Sequence, residues 1–328
     1  MTGISPEDKR LLWCAPLGLV ARAGGCAPRR FPQDIIDQAV TAHPGPASRM
    51  ECASGCSLIM RTDASVLVCD IEVIDTPREF GEFIARSAGK VIGSWRDMAF
   101  NPGRYRIEIA LRGGGAMRDV EILLPQNLTF VFTAIALDGR IGEAVSPPPS
   151  AAWLAVGDSI TQGMNAVSPA STYVQRVCDA LSIGAWNLGI GGATMDPAPF
   201  SWAFDHRPWQ TITVALGSND CILRVPLDVF RAKTREMTDC ISARAPRARV
   251  ILITPPPVTK SDPPFSNLPA YRRAVAAAVA QSGRPYSVVD GLSLIDPARG
   301  HLTPDGVHLS EEGFASYAKR LVEAMQAS

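Results

Sequence analysis

The segment Trp153-Leu154-Ala155-Val156-Gly157-Asp158-Ser159-Ile160-Thr161 opens the second half of this chain with a short apolar run that breaks at Gly-Asp-Ser. Four consecutive apolar residues bounded by a turn signal suit a strand buried on both faces, as in a parallel sheet. Beyond the turn, Tyr173, Val174, Val177, Cys178 and Leu181 recur at helical spacing. Strand, turn and amphipathic helix make the opening of an α/β unit, and a serine at the carboxyl end of such a strand stands where open α/β sheets place their ligands.

The pattern then repeats. Apolar runs at Ala185–Leu188, Thr211–Leu216, Arg249–Thr254 and Tyr286–Val289 read as further strands, with helical patterns near 227–244 and 268–282 between them. A last helix carries Phe314, Tyr317, Ala318, Leu321, Val322 and Met325 on one face. Two polar blocks follow the second and third strands: Gly189-Ile190-Gly191-Gly192-Ala193-Thr194 and Gly217-Ser218-Asn219-Asp220. A third, Asp305-Gly306-Val307-His308, precedes the last helix. With the serine block, all four fall at one edge of the expected sheet.

Together the blocks hold the parts that acyl transfer needs. A serine hydroxyl is a poor nucleophile until a base lies within hydrogen-bond reach, and histidine is suited to that role. The chain has histidines only at 43, 206, 301 and 308. His308 has Asp305 three residues before it, and an Asp-Gly turn would set that carboxylate against one ring nitrogen while the other faces Ser159. His206 lacks a partner block and reads as a helix-end residue; His301 reads as a solvated loop residue. For the oxyanion, a backbone N–H of Gly191 or Gly192 and the side-chain amide of Asn219 are the available donors. Asp158 reads as a brace that accepts from backbone N–H groups of the turn. Gly-x-Ser-x-Gly, a Gly-x-x-x-x-Gly-Lys phosphate loop and His-Glu-x-x-His are all absent, and Gly189-x-Gly191-x-x ends in Thr194 rather than the glycine of a dinucleotide fingerprint.

In type, order and rough spacing the four blocks resemble those of the SGNH, or GDSL, esterases and lipases, over Trp153 to about Ala327. The resemblance implies a flavodoxin-like, three-layer α/β domain with Ser159 as nucleophile and Asp305 and His308 as the other triad members. It implies an oxyanion hole from the N–H groups of Ser159 and Gly192 and the Asn219 amide. Gly192 rather than Gly191 is indicated because the family's donor precedes the residue before a Thr or Ser.

The first half alternates with period two. Tyr105, Ile107, Ile109 and Leu111 form one such set, Leu67, Cys69, Ile71 and Val73 another, and Val120 through Phe130 and Phe132 a third. No long helical pattern stands out, so an antiparallel β-sandwich or jelly roll is expected over 1–148. The seam is Ser146-Pro147-Pro148-Pro149-Ser150, with the catalytic domain at 151–328. Arg61-Thr62-Asp63-Ala64 and Glu121-Ile122-Leu123-Leu124-Pro125 are similar to segments of bacterial SGNH proteins with an N-terminal β-sandwich, a group that includes esterases and acyltransferases of natural-product assembly.

A balance of 32 basic against 32 acidic residues gives no net field for nucleic acid or anionic membrane, and no apolar run is long enough to span a bilayer. The eight cysteines are too sparse for a disulfide framework, and Cys52-x-x-x-Cys56 has no second pair to hold zinc; no metal or cofactor is expected. Lys9-Arg10 ahead of Leu11–Val20 imitates a signal peptide, with Cys26 as a lipidation site, but Glu7, Asp8, Trp13, Pro16 and Arg22 oppose it. The cytoplasm is the expected compartment, with secretion or lipid anchoring as the alternative. Phe200, Trp202 and Phe204 read as core or as an acyl pocket, Cys221 as a buried thiol or a site-lining one, and Pro255 to Pro264 as a cleft rim or lid. The expected activity is hydrolysis of an ester of a small or carbohydrate-linked acyl group. Acyl transfer to a sugar or natural-product hydroxyl is the alternative, and a binding protein with a vestigial site the third reading. Oligomeric state is left open.

Overall fold

The computed structural model describes residues 1–42, 44–143 and 151–327. The chain divides into two compact units, Met1–Pro148 with Val167–Ala170 and Pro149–Ala166 with Ser171–Ser328. The proline run 146–150 read as the seam, and His43, lie outside the described residues.

With strands numbered along the chain, the first unit is an antiparallel sandwich of two sheets. One has the order Leu19–Arg22 (β3), Gly25–Pro28 (β4), Thr129–Leu137 (β11), Val66–Asp75 (β6), Gly103–Ala110 (β9), with Thr2–Ile4 (β1) also paired to β11. The other has the order Leu12–Cys14 (β2), Ser57–Thr62 (β5), Arg118–Leu123 (β10), Gly81–Ser87 (β7), Lys90–Asp97 (β8). The alternation seen in the sequence is the pleat: Ile107 and Ile109 are fully buried while Arg106, Glu108 and Ala110 are exposed. Phe83, Phe130 and Phe132 meet edge to face in the core, with ring centroids 5.5 and 5.3 Å apart. Two helices, α1 (Gln33–Ala42) and α2 (Pro44–Met50), accompany the sandwich and were not expected from the sequence. Each is short, and Pro44-Gly45-Pro46 carries poor helix formers. Burial of Ile36, Ala47 and Met50 overrides that weak local preference.

The second unit is a five-stranded parallel sheet. Ala151–Gly157 (β12), Gly184–Gly189 (β13), Thr211–Ala215 (β14), Arg249–Ile253 (β15) and Ser287–Val289 (β16) lie in the order β13-β12-β14-β15-β16. This is the doubly wound 2-1-3-4-5 arrangement, whose switch point lies between its first and third strands, β12 and β14. Trp153 and Ala155 face a core shared with Tyr173, Val174 and Val177 of α4 (Tyr173–Leu181) and Phe314, Tyr317 and Leu321 of α9 (Glu311–Gln326). Leu154 and Val156 point the other way and are equally buried. α7 (Leu227–Arg244) and α8 (Leu268–Gln281) pack together, with Phe230 edge-on to Tyr271 at 4.9 Å. Both faces of the sheet are thus covered, which is why its strands read as unbroken apolar runs.

Candidate active site

Ser159 begins α3 (Ser159–Gln162), a single turn directly after β12. Asp158 caps it, its carboxylate accepting from Ile160 N–H at 3.0 Å. Glycine is required at the end of each of the first two strands, because the turn lies against them. A Cβ on Gly157 would stand 1.9 Å from Thr161 Oγ1, and one on Gly189 2.1 Å from Gln162 N. Asn187 adds a stitch, donating from its amide to Thr161 O at 2.8 Å and accepting from Gly189 N–H at 2.9 Å.

The loop before α9 delivers the base. Ser159 Oγ lies 2.9 Å from His308 Nε2, and His308 Nδ1 lies 2.7 Å from Asp305 Oδ2. The other carboxylate oxygen, Oδ1, accepts from Thr303 Oγ1 at 3.0 Å and from the N–H groups of Val307 and His308 at 2.8 and 2.9 Å. Burial works against the charge on Asp305, but the bonds from the His308 N–H and ring and the Val307 N–H outweigh it and hold this carboxyl well below the usual carboxylate range. An ionised carboxylate only accepts, so Nδ1 carries the ring proton toward it. Nε2 is left to accept from the Ser159 hydroxyl. Thr303 also closes the loop, its N–H donating to His308 O at 2.8 Å.

The glycine loop after β13 is tied to the same turn. Gly191 is buried and its N–H donates to Gln162 Oε1 at 2.7 Å. Gly192 is half-buried at φ +89°, a left-handed conformation open to glycine, and its N–H makes no hydrogen bond among the described residues. The Ser159 N–H is likewise unengaged among them. Asn219 lies in the first turn of α6 (Ser218–Ile222), and one arm of its amide donates to Ala193 O at 2.9 Å. Beside it the buried Asp220 accepts from Met195 N–H at 3.0 Å. Burial, with Asp196 adding its charge against the Met195 N–H, pushes Asp220 up to about 6. Burial pushes Asp158 up to about 7, with the Asp220 charge reinforcing it against the Ile160 N–H.

Ser159, His308 and Asp305 thus form one hydrogen-bonded chain, with the Gly192 and Asn219 loops joined to each other beside it. Other polar or reactive residues stand apart. His206 follows α5 (Ser201–Phe204), its ring against Trp186 and Trp202, and His301 Nδ1 accepts from Asp296 N–H at 2.9 Å. Phe200 and Phe204 are fully buried core residues and not pocket walls, and the Trp202 indole N–H donates to Pro199 O. Cys221 is buried, its thiol pushed up by burial and donating to Pro264 O, so it is no accessible nucleophile. All eight cysteines are free thiols. The loop after β15 is anchored to the triad loop by Thr259 N–H donating to Gly306 O at 3.0 Å. Gln162, Asn187 and Thr303 are the polar residues that sequence reading passed over. Each bonds to backbone or side chains in or beside a block, and none has a periodic signal.

The model of the GDSL-like lipase/acylhydrolase family matches residues 155–315, a span that holds all four blocks. Residues 155–315 belong to this family, also known as SGNH. No curated protein matches the chain. Among solved structures the whole chain is similar to the salicylyl-acyltransferase SsfX3 from a tetracycline biosynthetic pathway, at 21% identity, 99% of this chain and 98% of that chain covered, and TM-score 0.83. It is also similar to a family two carbohydrate esterase from Cellvibrio japonicus, at 13% identity, 99% and 97% coverage, and TM-score 0.71. A family two carbohydrate esterase from Clostridium thermocellum in complex with cellohexaose matches at 13% identity, 96% and 98% coverage, and TM-score 0.70. At these identities the likeness is one of fold, a β-sandwich followed by an SGNH domain. None of the described helices is long and apolar enough to cross a membrane.

Proposed function

We propose that this SGNH acylhydrolase is a serine esterase that cleaves esters of small or carbohydrate-linked acyl groups through an acyl-Ser159 intermediate. The observation that carries the reading is the hydrogen-bonded chain Ser159–His308–Asp305, with 2.9 and 2.7 Å links. His308 Nε2 takes the hydroxyl proton as Ser159 Oγ attacks the ester carbonyl, and Asp305 steadies the imidazolium that forms. The N–H groups of Ser159 and Gly192 and the second amide hydrogen of Asn219 act as donors to the oxyanion. Their free state, against the engaged N–H of Gly191, supports Gly192 as the loop's donor. The protonated His308 then gives its proton to the leaving alkoxide. A water activated at Nε2 attacks the acyl-enzyme, releasing the carboxylic acid and restoring Ser159.

Likeness over both units to carbohydrate esterases supports the carbohydrate-linked substrate class. The likeness to SsfX3, over 99% of the chain, favours a second reading, in which an alcohol replaces water as acceptor. The anchored rim loop Pro255 to Pro264 is the element we assign to acceptor choice, since partition depends on whether water is excluded. The test is turnover of aryl acetates and acetylated sugars with and without an added sugar or phenolic acceptor, followed by mass spectrometry of products. Release of free acid that is indifferent to acceptor supports the esterase. A new ester formed at the expense of free acid supports transfer, and no turnover of any ester by folded protein counts against both.

A further inference from the structure

Two consecutive peptide N–H groups, those of Gly191 and Gly192, are the candidate oxyanion donors of the glycine loop, and one buried side chain distinguishes them. Gln162 ends the turn that Ser159 begins, is fully buried, and sets its Oε1 2.7 Å from Gly191 N. A backbone N–H only donates, so the amide must present its oxygen there. The contact holds Gly191 inward, while Gly192 stays half-buried with a free N–H. On its far side the same loop is pinned by Asn219 at Ala193 O and by Asp220 at Met195 N. The Gly192 N–H, unengaged among the described residues, therefore stands between two clamps, and the first clamp is carried on the same turn as the nucleophile.

We infer that Gln162 is a positioning residue for the oxyanion hole: by accepting from Gly191 N–H it turns the Gly192 N–H toward Ser159. The inference rests on the acyl-Ser159 reading for its chemistry. It rests on geometry alone for which glycine is held. Without the acceptor, the buried Gly191 N–H loses its bond to the serine turn, and the loop around Gly191 is held less firmly, by bonds such as Ala193 N–H to Ile190 O at 2.9 Å. The oxyanion then meets a misdirected donor, an effect felt in the transition state and little in substrate binding.

The test compares Gln162→Met, which keeps size and removes the acceptor, with Gln162→Glu, which keeps an acceptor oxygen. Rates are normalised to active sites titrated with a fluorophosphonate, so that a loss of folded protein does not count as a loss of rate. Gln162→Met is expected to lower kcat roughly 10- to 100-fold, less than the 10²–10³ lost with an outright donor deletion. Its KM should stay within about threefold, as a transition-state effect requires. Affinity for a phenylboronic acid, whose tetrahedral adduct places an oxygen in the hole, should fall in parallel, and Gln162→Glu should recover the larger part of kcat. In wild type, amide hydrogen exchange should find Gly191 protected and Gly192 open. The inference is overturned by a kcat in Gln162→Met equal to wild type per titrated site, by an equal loss in Gln162→Glu, or by a Gly191 amide that exchanges as fast as Gly192. If Gln162→Met does not fold, Gln162→Glu and the wild-type exchange pattern decide. A wild type that takes no fluorophosphonate brings down the acyl-serine reading, while the exchange pattern still tells whether Gln162 holds Gly191.

Discussion

The sandwich and the SGNH unit both bury well-packed apolar cores, but they deploy buried polar side chains differently. In the sandwich several of these close off backbone carbonyls. Arg30 donates to the carbonyls of Cys52 and Arg49, Ser54 to Gln126 O, and Thr62 to Arg140 O. In the SGNH unit, Asp158, Gln162, Asn187 and Asp220 gather at the carboxyl ends of β12, β13 and β14. Each bonds to a loop that carries a candidate catalytic group. Buried polar groups are costly unless satisfied, so a concentration of satisfied ones marks where the backbone must be held in a defined shape. The comparison separates polar groups that complete a fold from polar groups that aim a site.

The largest effect that tests this contrast is loss of the nucleophile or its base. Ser159→Ala or His308→Ala should lower ester turnover by about 10⁴- to 10⁶-fold with thermal unfolding little changed, measured as kcat beside Tm. Next is Asn219→Ala, which removes an oxyanion donor and the tie to Ala193. A fall of roughly 10²–10³ in kcat is expected, with the stopped assay showing a smaller change in KM.

The sandwich should answer in the opposite way. Phe130→Ala, in the aromatic core, should cost about 3–5 kcal/mol of stability in urea unfolding while kcat per titrated site stays near wild type. A large fall in kcat per site would break the division between the units.

The two regions were also unequally legible from the sequence. In the SGNH unit, parallel strands such as Trp153–Val156 appear as unbroken apolar runs. The catalytic residue types are few enough that His308 could be singled out from four histidines. The sandwich could be read as strands from sets such as Tyr105, Ile107 and Ile109. Its two sheets come from pairings between segments far apart, such as β10 with β5, that no local pattern encodes. Helices at 33–50 escaped because each is short, ten and seven residues, and the second opens on Pro44-Gly45-Pro46. Gln162 and Asn187 escaped for a related reason, since a side chain that bonds a loop some 26 to 29 positions away leaves no spacing to detect.

The smallest of these effects is a pH dependence. Asp158 is pushed up to about 7 and Asp220 to about 6 from an ordinary 3.8. The folded chain therefore binds more protons than the unfolded one between roughly pH 4 and 7. The stability from these carboxyls is full below that window and lost as pH rises through it. Asp305, held low, acts in the reverse sense, its contribution present above about pH 4 and lost on acidification. Asp158→Asn should flatten the decline in urea-unfolding free energy between pH 4.5 and 7.5. An unaltered slope would mean that burial of Asp158 does not govern it.

The central claim, that Ser159 is an activated nucleophile aimed by His308, is tested most directly by intact-mass analysis after exposure to a fluorophosphonate probe. A single adduct on wild type, none on Ser159→Ala and strongly slowed labelling of His308→Ala is the predicted result. A folded wild type without an adduct, or an adduct that persists on Ser159→Ala, would contradict it.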